Sequence, residues 1–124
     1  MKKIDIPALG EGQQVWFNIG RLRQVEEYLK QPIGEILKAT DNLSLKVLLA
    51  LLMFGMKQNG NKPEQYYSDL IDKAFDNGYD ITDIQLPVIK AVIASGIMGQ
   101  SMYYSLFPEE LTEQAKQEIE EEKN

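Results

Sequence analysis

Asp69, Asp72 and Asp76 stand at i, i+3 and i+7, a spacing that puts three carboxylates on one face of a helix. Their oxygens could hold a hard cation there. The plainer reading, and the one adopted here, is a solvated helix face on which Lys73 pairs with Asp69 at i, i+4. The stretch from Asp72 to Asp83 has the acidic look of a calcium loop. Setting Gly78 at loop position six, however, puts Lys73 at position one and Ile84 at position twelve, so the EF-hand pattern fails. None of the five serines sits in a Gly-x-Ser-x-Gly elbow, and no histidine exists to act as their base. Ser95-Gly-Ile-Met-Gly99 lacks the Lys-Ser/Thr of a phosphate loop and follows no strand; it reads as close helix packing or a frayed helix end. The missing histidine removes the commonest general base, the usual metal ligand and the neutral-pH switch together. The absence of cysteine removes any disulfide framework. No catalytic, cofactor-binding or metal-ligating residue is assigned, and the chain reads as a non-enzymatic interaction protein.

The remaining chemistry is adhesion. Trp16 and Phe17 on one side, and Tyr103, Tyr104, Leu106 and Phe107 on the other, flank the apolar centre of the chain; aromatics of this kind anchor interfaces. Met53, Met56, Met98 and Met102 fall near the ends of two apolar segments, where the flexible thioether adapts to irregular partners. Trp16, Phe17, Met53, Met56, Met98, Met102, Tyr103, Tyr104 and Phe107 form the candidate partner-binding set.

The elements that position them are organised around Leu45–Met56. From Val47 onward this stretch has no polar side chain, and a helix that is apolar all round must be covered all round. It is too short for a bilayer, which needs about 20 apolar residues. Before it, Ile4–Gln14 carries Pro7, Gly10 and Gly12, which forbid a regular helix and predict an extended, mobile arm. Gln14–Ile19 has β-branched and aromatic residues, but no second strand of comparable quality is visible, so it reads as an extended lead-in anchored by Trp16 and Phe17. Arg21–Lys30 predicts a short amphipathic helix capped by Asn18 and stopped at Gln31-Pro32. Pro32–Lys38 predicts two further turns with Pro at the first position.

The cluster Thr40–Ser44 offers several caps for the central helix, which should run to about Gln58–Gly60. Asn61-Lys-Pro-Glu64 resembles a capping box for the next helix, with Tyr67, Leu70, Ile71, Ala74 and Phe75 on its apolar stripe and Gly78 after its end. Asp80, Thr82 and Asp83 are caps for a further apolar helix through Val88–Ala94, although Pro87 should lie near its first turn. No internal repeat is visible. The expected architecture is all-α: one compact domain of four to five helices around an apolar central helix. Residues 1–107 form that domain, with the arm at 1–18.

Charge is unevenly spread over the 124 residues, whose formal net charge is −6. From Pro108 to Asn124 seven glutamates face only Lys116 and Lys123, whereas the body is almost neutral. Residues 108–124 therefore read as an acidic tail, mobile or a lone helix. A neutral body with an acidic tail argues against nucleic acid, which wants a basic stripe. Met1–Pro7 lacks the apolar run of a signal peptide, so the expected location is cytoplasmic.

The order of segments also resembles a known family. An extended Val15-Trp-Phe-Asn-Ile-Gly20 leads into Arg21-Leu22-x-x-Val25-Glu26-x-x-Leu29. Then come a short Pro-Ile-Gly-Glu-Ile segment, the apolar Val47–Gly55 helix, the Glu64–Gly78 helix and the apolar Val88–Ala94 helix. This order is similar to the small tail-assembly chaperones of long-tailed phages and gene-transfer-agent-type particles, over Val15 to Gly96. The resemblance implies a helical, non-enzymatic protein that binds the hydrophobic tape-measure protein in the host cytoplasm during tail assembly and is absent from the finished virion. It carries over no catalytic residue and no cofactor. Some members of the family are tail-tube components instead, and such chaperones are often extended by a programmed frameshift. Two other classes compete: an enzyme using the Asp69/Asp72/Asp76 face, and a small phage regulator that inhibits a host protein. A homo-oligomer is a further expectation, because self-association would cover apolar surface until a client arrives.

Overall fold

The computed structural model describes residues 1–39, 43–58, 60–111 and 117. Six α-helices and one two-stranded ribbon occur among them, so the protein is a mostly helical domain.

The N-terminal segment is not an extended, mobile arm but is folded into the domain. Strand β1 (Ile4–Asp5) pairs antiparallel with β2 (Gln14–Val15), Ile4 opposite Val15 and Asp5 opposite Gln14. Between them Pro7–Leu9 makes one 3-10 turn. Gly12, at φ 77°, supplies a left-handed residue on the way back. Ile6, Ala8, Leu9, Val15 and Phe17 are buried, so this segment is part of the core. Proline and glycine here shape a compact turn; they do not loosen the chain. The partner strand went unseen because two residues are too few to show alternation.

Helix α1 (Ile19–Leu29) opens at Asn18, whose side chain accepts from the Arg21 N–H at 2.8 Å. It closes at Lys30 in the left-handed conformation. Helix α2 (Ile33–Ile36) begins after Pro32, and the Ile33 N–H donates to a Glu26 carboxylate oxygen at 2.7 Å. A 3-10 turn over Leu37–Ala39 follows.

Helix α3 (Leu45–Gly55) is capped by Ser44, which accepts from the Val47 N–H. Leu48, Leu49, Ala50, Leu51, Leu52 and Gly55 are buried along it, and it packs against α1 and against α4 (Glu64–Asp76) and α5 (Ile81–Ala94). It ends earlier than the expected Gln58–Gly60. The Gly55 carbonyl is taken by the Trp16 N–H at 3.1 Å and by Arg21 Nη1 at 3.0 Å, and Met56 leaves the helical region. An arginine on a last-turn carbonyl also suits the negative end of the helix. Just beyond, the Gln58 amide, turned so that both of its contacts are satisfied, donates to the Gln14 carbonyl at 2.9 Å and accepts the Gln14 N–H at 2.8 Å. A side-chain amide thus continues the ladder on the free edge of β2.

The capping box lies elsewhere than expected. Helix α4 follows Pro63, which stands at its N-cap in extended conformation and offers no side-chain cap. At α5 the Asp80 side chain accepts from the Asp83 N–H, and Asp83 accepts from the Asp80 N–H. This start leaves Pro87 well inside α5. The carbonyl deprived of its helical donor there belongs to Asp83, an exposed residue, so water can replace the lost bond. Helix α6 (Gln100–Leu106) packs on α5 and runs into a 3-10 turn at Pro108–Glu110. The remainder of the expected acidic tail, apart from Leu111 and Gln117, lies outside the described residues. No helix among the described residues is long and apolar enough to cross a membrane.

Candidate interaction surfaces

The carboxylates with cation-binding spacing face solvent. Asp69, Asp72 and Asp76 are exposed on α4, and Asp69 accepts from Gln65 Nε2 at 2.9 Å. The expected Lys73 partner is not among the ion pairs of the described residues. No metal-competent group of His, Cys, Asp and Glu exists among those residues. Ser95 spends its hydroxyl on the Val92 carbonyl, one turn back.

The nine residues singled out for partner binding do not all reach the surface. Phe17 and Met56 are buried, and this corrects their assignment as partner contacts. Both lie where the chain after β2 crosses the end of α3. A Cβ added to Gly55 would sit 2.7 Å from Phe17 Cζ and from Val15 Cγ2, so glycine alone allows the approach. The Met56 carbonyl accepts from the buried Tyr67 hydroxyl at 2.6 Å. Desolvation holds that phenol's pKa above its ordinary value, with Tyr66 adding to the effect. Trp16 is half-buried beneath the Arg21 guanidinium, 3.5 Å from its ring centroid. Burial lowers the Arg21 pKa. Met53 and Met98 pack half-buried against the core.

Only α6 gathers its members. Tyr103 lies 5.2 Å from Tyr104 and 5.0 Å from Phe107, centroid to centroid, and Met102 on the same helix is exposed. Lys2 Nζ sits 4.3 Å above the Phe107 ring and 2.7 Å from Glu110 Oε2, while the Tyr103 hydroxyl donates to Glu110 Oε1 at 3.1 Å. This clasp ties the segment before β1 to the turn after α6. Lys2 and then Tyr103 pull the Glu110 pKa below 4.5, and Glu110 pulls that of Lys2 above 10.5.

The signs define a window. The lowered carboxyl contributes stability above its ordinary value, lost as pH falls through its depressed pKa. The raised amine contributes below 10.5, lost as pH rises through its elevated pKa. In a carboxyl-detected NMR titration, Lys2→Ala is expected to return the Glu110 midpoint upward toward 4.5. An unmoved midpoint would show that the clasp does not form in solution.

Three exposed apolar side chains outside the expected partner-binding set come together on α3, α4 and the loop after α4. Leu45 is 62% exposed, Phe75 44% and Tyr79 40%. They line one shallow, open apolar groove with Ile81 and Asp80. Leu45 and Phe75 continue into a second hollow of about 160 Å³ with Leu49, Ser68, Ile71 and Asp72. On α4, Tyr67, Ile71 and Ala74 point into the core, so the row Ser68, Asp72 and Phe75 emerges beside them, about one residue's rotation away. The sequence pattern puts Phe75 on the apolar stripe with Ala74, which a 3.6-residue period alone does not separate from it, yet Phe75 is exposed and Ala74 buried. A smaller hollow of about 170 Å³ is bordered by Ile19, Leu22, Ile33 and Ile97, with Arg23 and Glu26 at its edge.

Comparison of the chain with protein-family models, with curated proteins and with solved structures finds no match.

Proposed function

We propose that this protein is a non-enzymatic phage tail-assembly chaperone that holds apolar helices of a tape-measure protein in the host cytoplasm before the tail is built. The observation that carries the reading is a contiguous, exposed apolar groove on a domain whose core is otherwise closed. Large bare apolar patches are retained where a partner covers them. The segment order from Val15 to Gly96 supports the choice of client. The reading includes the architecture: a small bundle centred on α3, rigid enough to present the groove without collapsing into it. Leu48, Leu51 and Leu52, all buried, support that centre.

Co-expression with the tape-measure protein of the same genome tests the proposal. The tape-measure protein is expected to become more soluble and to co-elute with this chain from a sizing column. A client no more soluble with the chain than without it, and no complex on the column, would refute the chaperone role.

A further inference from the structure

We infer that the groove between α3, α4 and the start of α5 docks an amphipathic helix whose apolar stripe is flanked by lysine or arginine. The inference deepens the chaperone reading, and rests on it only for the client's identity.

The floor is apolar and built from two helices. Leu45 and Leu49 are one turn apart on α3, while Ile71 and Phe75 are one turn apart on α4. Tyr79 and Ile81 extend the floor past the end of α4. A trough between two helix ridges is the shape that a third helix fills, with anchors at i, i+3, i+4 and i+7.

The charged residues that line the groove, Asp72 and Asp80, are both acidic. The nearest lysines by sequence, Lys46 and Lys73, do not line it. Lys73 instead borders a separate cavity with Pro7–Gly10.

That acidity selects among occupants. The Glu-rich segment after Pro108 of this chain would meet like charge. A second copy docking groove to groove would bring the same aspartates face to face. Nucleic acid is repelled for the same reason. A helix with a basic border gains Coulomb attraction at the rim while its stripe covers Leu45, Phe75 and Tyr79. The hollow at Ile19 has no such bias, because Arg23 and Glu26 border it together.

The probe is a pair of synthetic helical peptides of about 14 residues, spanning ~20 Å, one Leu/Lys amphipathic and the other its Leu/Glu counterpart. Each is titrated into the full chain at about 150 mM salt, where long-range charge effects are screened. The Leu/Lys peptide is expected to bind, with amide NMR shifts centred on Leu45, Phe75 and Tyr79, and the Leu/Glu peptide not to. Leu45→Ser with Phe75→Ser should weaken binding about tenfold or more. Because both side chains are exposed, the fold should survive, as a thermal melt will show. Asp72→Lys, which leaves the floor intact, should weaken binding of the basic peptide and flatten its salt dependence.

Equal binding of the two peptides, shifts centred on Ile19 and Ile97, or indifference to both variants would overturn the inference. The same variants separate the groove from the function. A tape-measure protein solubilised equally by wild type and the double serine variant removes the groove and leaves the chaperone. A groove that binds the basic peptide on a chain that solubilises no tape-measure protein does the reverse.

Discussion

Leu52→Asp is expected to abolish folding. Leu52 is fully buried in the middle of α3, and none of the buried residues among those described is polar or charged. An unpaired carboxylate there costs several kcal/mol even after its pKa rises, against a total stability of about 5–15 kcal/mol. Leu52→Ala, which leaves only a cavity, should cost about 2–5 kcal/mol and still fold. Leu49→Asp looks equivalent in the sequence, but Leu49 borders the exposed groove. Its carboxylate has a route to water, and a weakened cooperative fold is expected. Far-UV circular dichroism and thermal melts of the three variants check the order; a wild-type-like melt for Leu52→Asp would contradict the burial of α3.

Gly55→Ala is expected to destabilise the protein by about 1–3 kcal/mol. Elsewhere in a helix the same change is favourable by about 0.8–1 kcal/mol. Here the new Cβ would meet Val15 and Phe17 at 2.7 Å, both of them buried. Relief requires β2 and its continuation to lift away, which stretches the Trp16 N–H bond to the Gly55 carbonyl and the Arg21 bond beside it. Urea unfolding should show a lower midpoint, and the Trp16 amide should exchange faster with solvent. Gly34→Ala is the control: it lies in α2 with nothing within 4 Å of its added Cβ, and should be neutral or stabilising. Equal behaviour of the two alanine variants would mean that the junction is loosely packed.

The helices were legible where a side chain punctuates them. Asn18, Ser44 and Asp80 each cap the helix that follows, and each belongs to a residue type that competes with the backbone for hydrogen bonds. The interior position of Pro87 was not legible, because its tolerance depends on the exposure of Asp83, a tertiary fact. The ribbon was hidden for another reason: it is held by contacts distant in sequence, from Gly55 to Trp16 and from Gln58 to Gln14. Of the surfaces, the aromatic content of α6 could be read directly. The groove could not, since Leu45 and Phe75 belong to apolar patterns that ordinarily point inward.

The Gly55 junction also sets an order of events during synthesis. An isolated two-stranded ribbon is marginal in water, and this one is fastened through a carbonyl some 40 residues further along the chain. At a translation rate of about 5–20 residues per second, that carbonyl emerges roughly 2–8 s after Val15. Until then Trp16 and Phe17 have no glycine to close upon, so the ribbon is locked only after α3 has been made. The ribbon therefore waits with its aromatic pair uncovered, whereas Phe75 and Tyr79 stay exposed even in the finished fold.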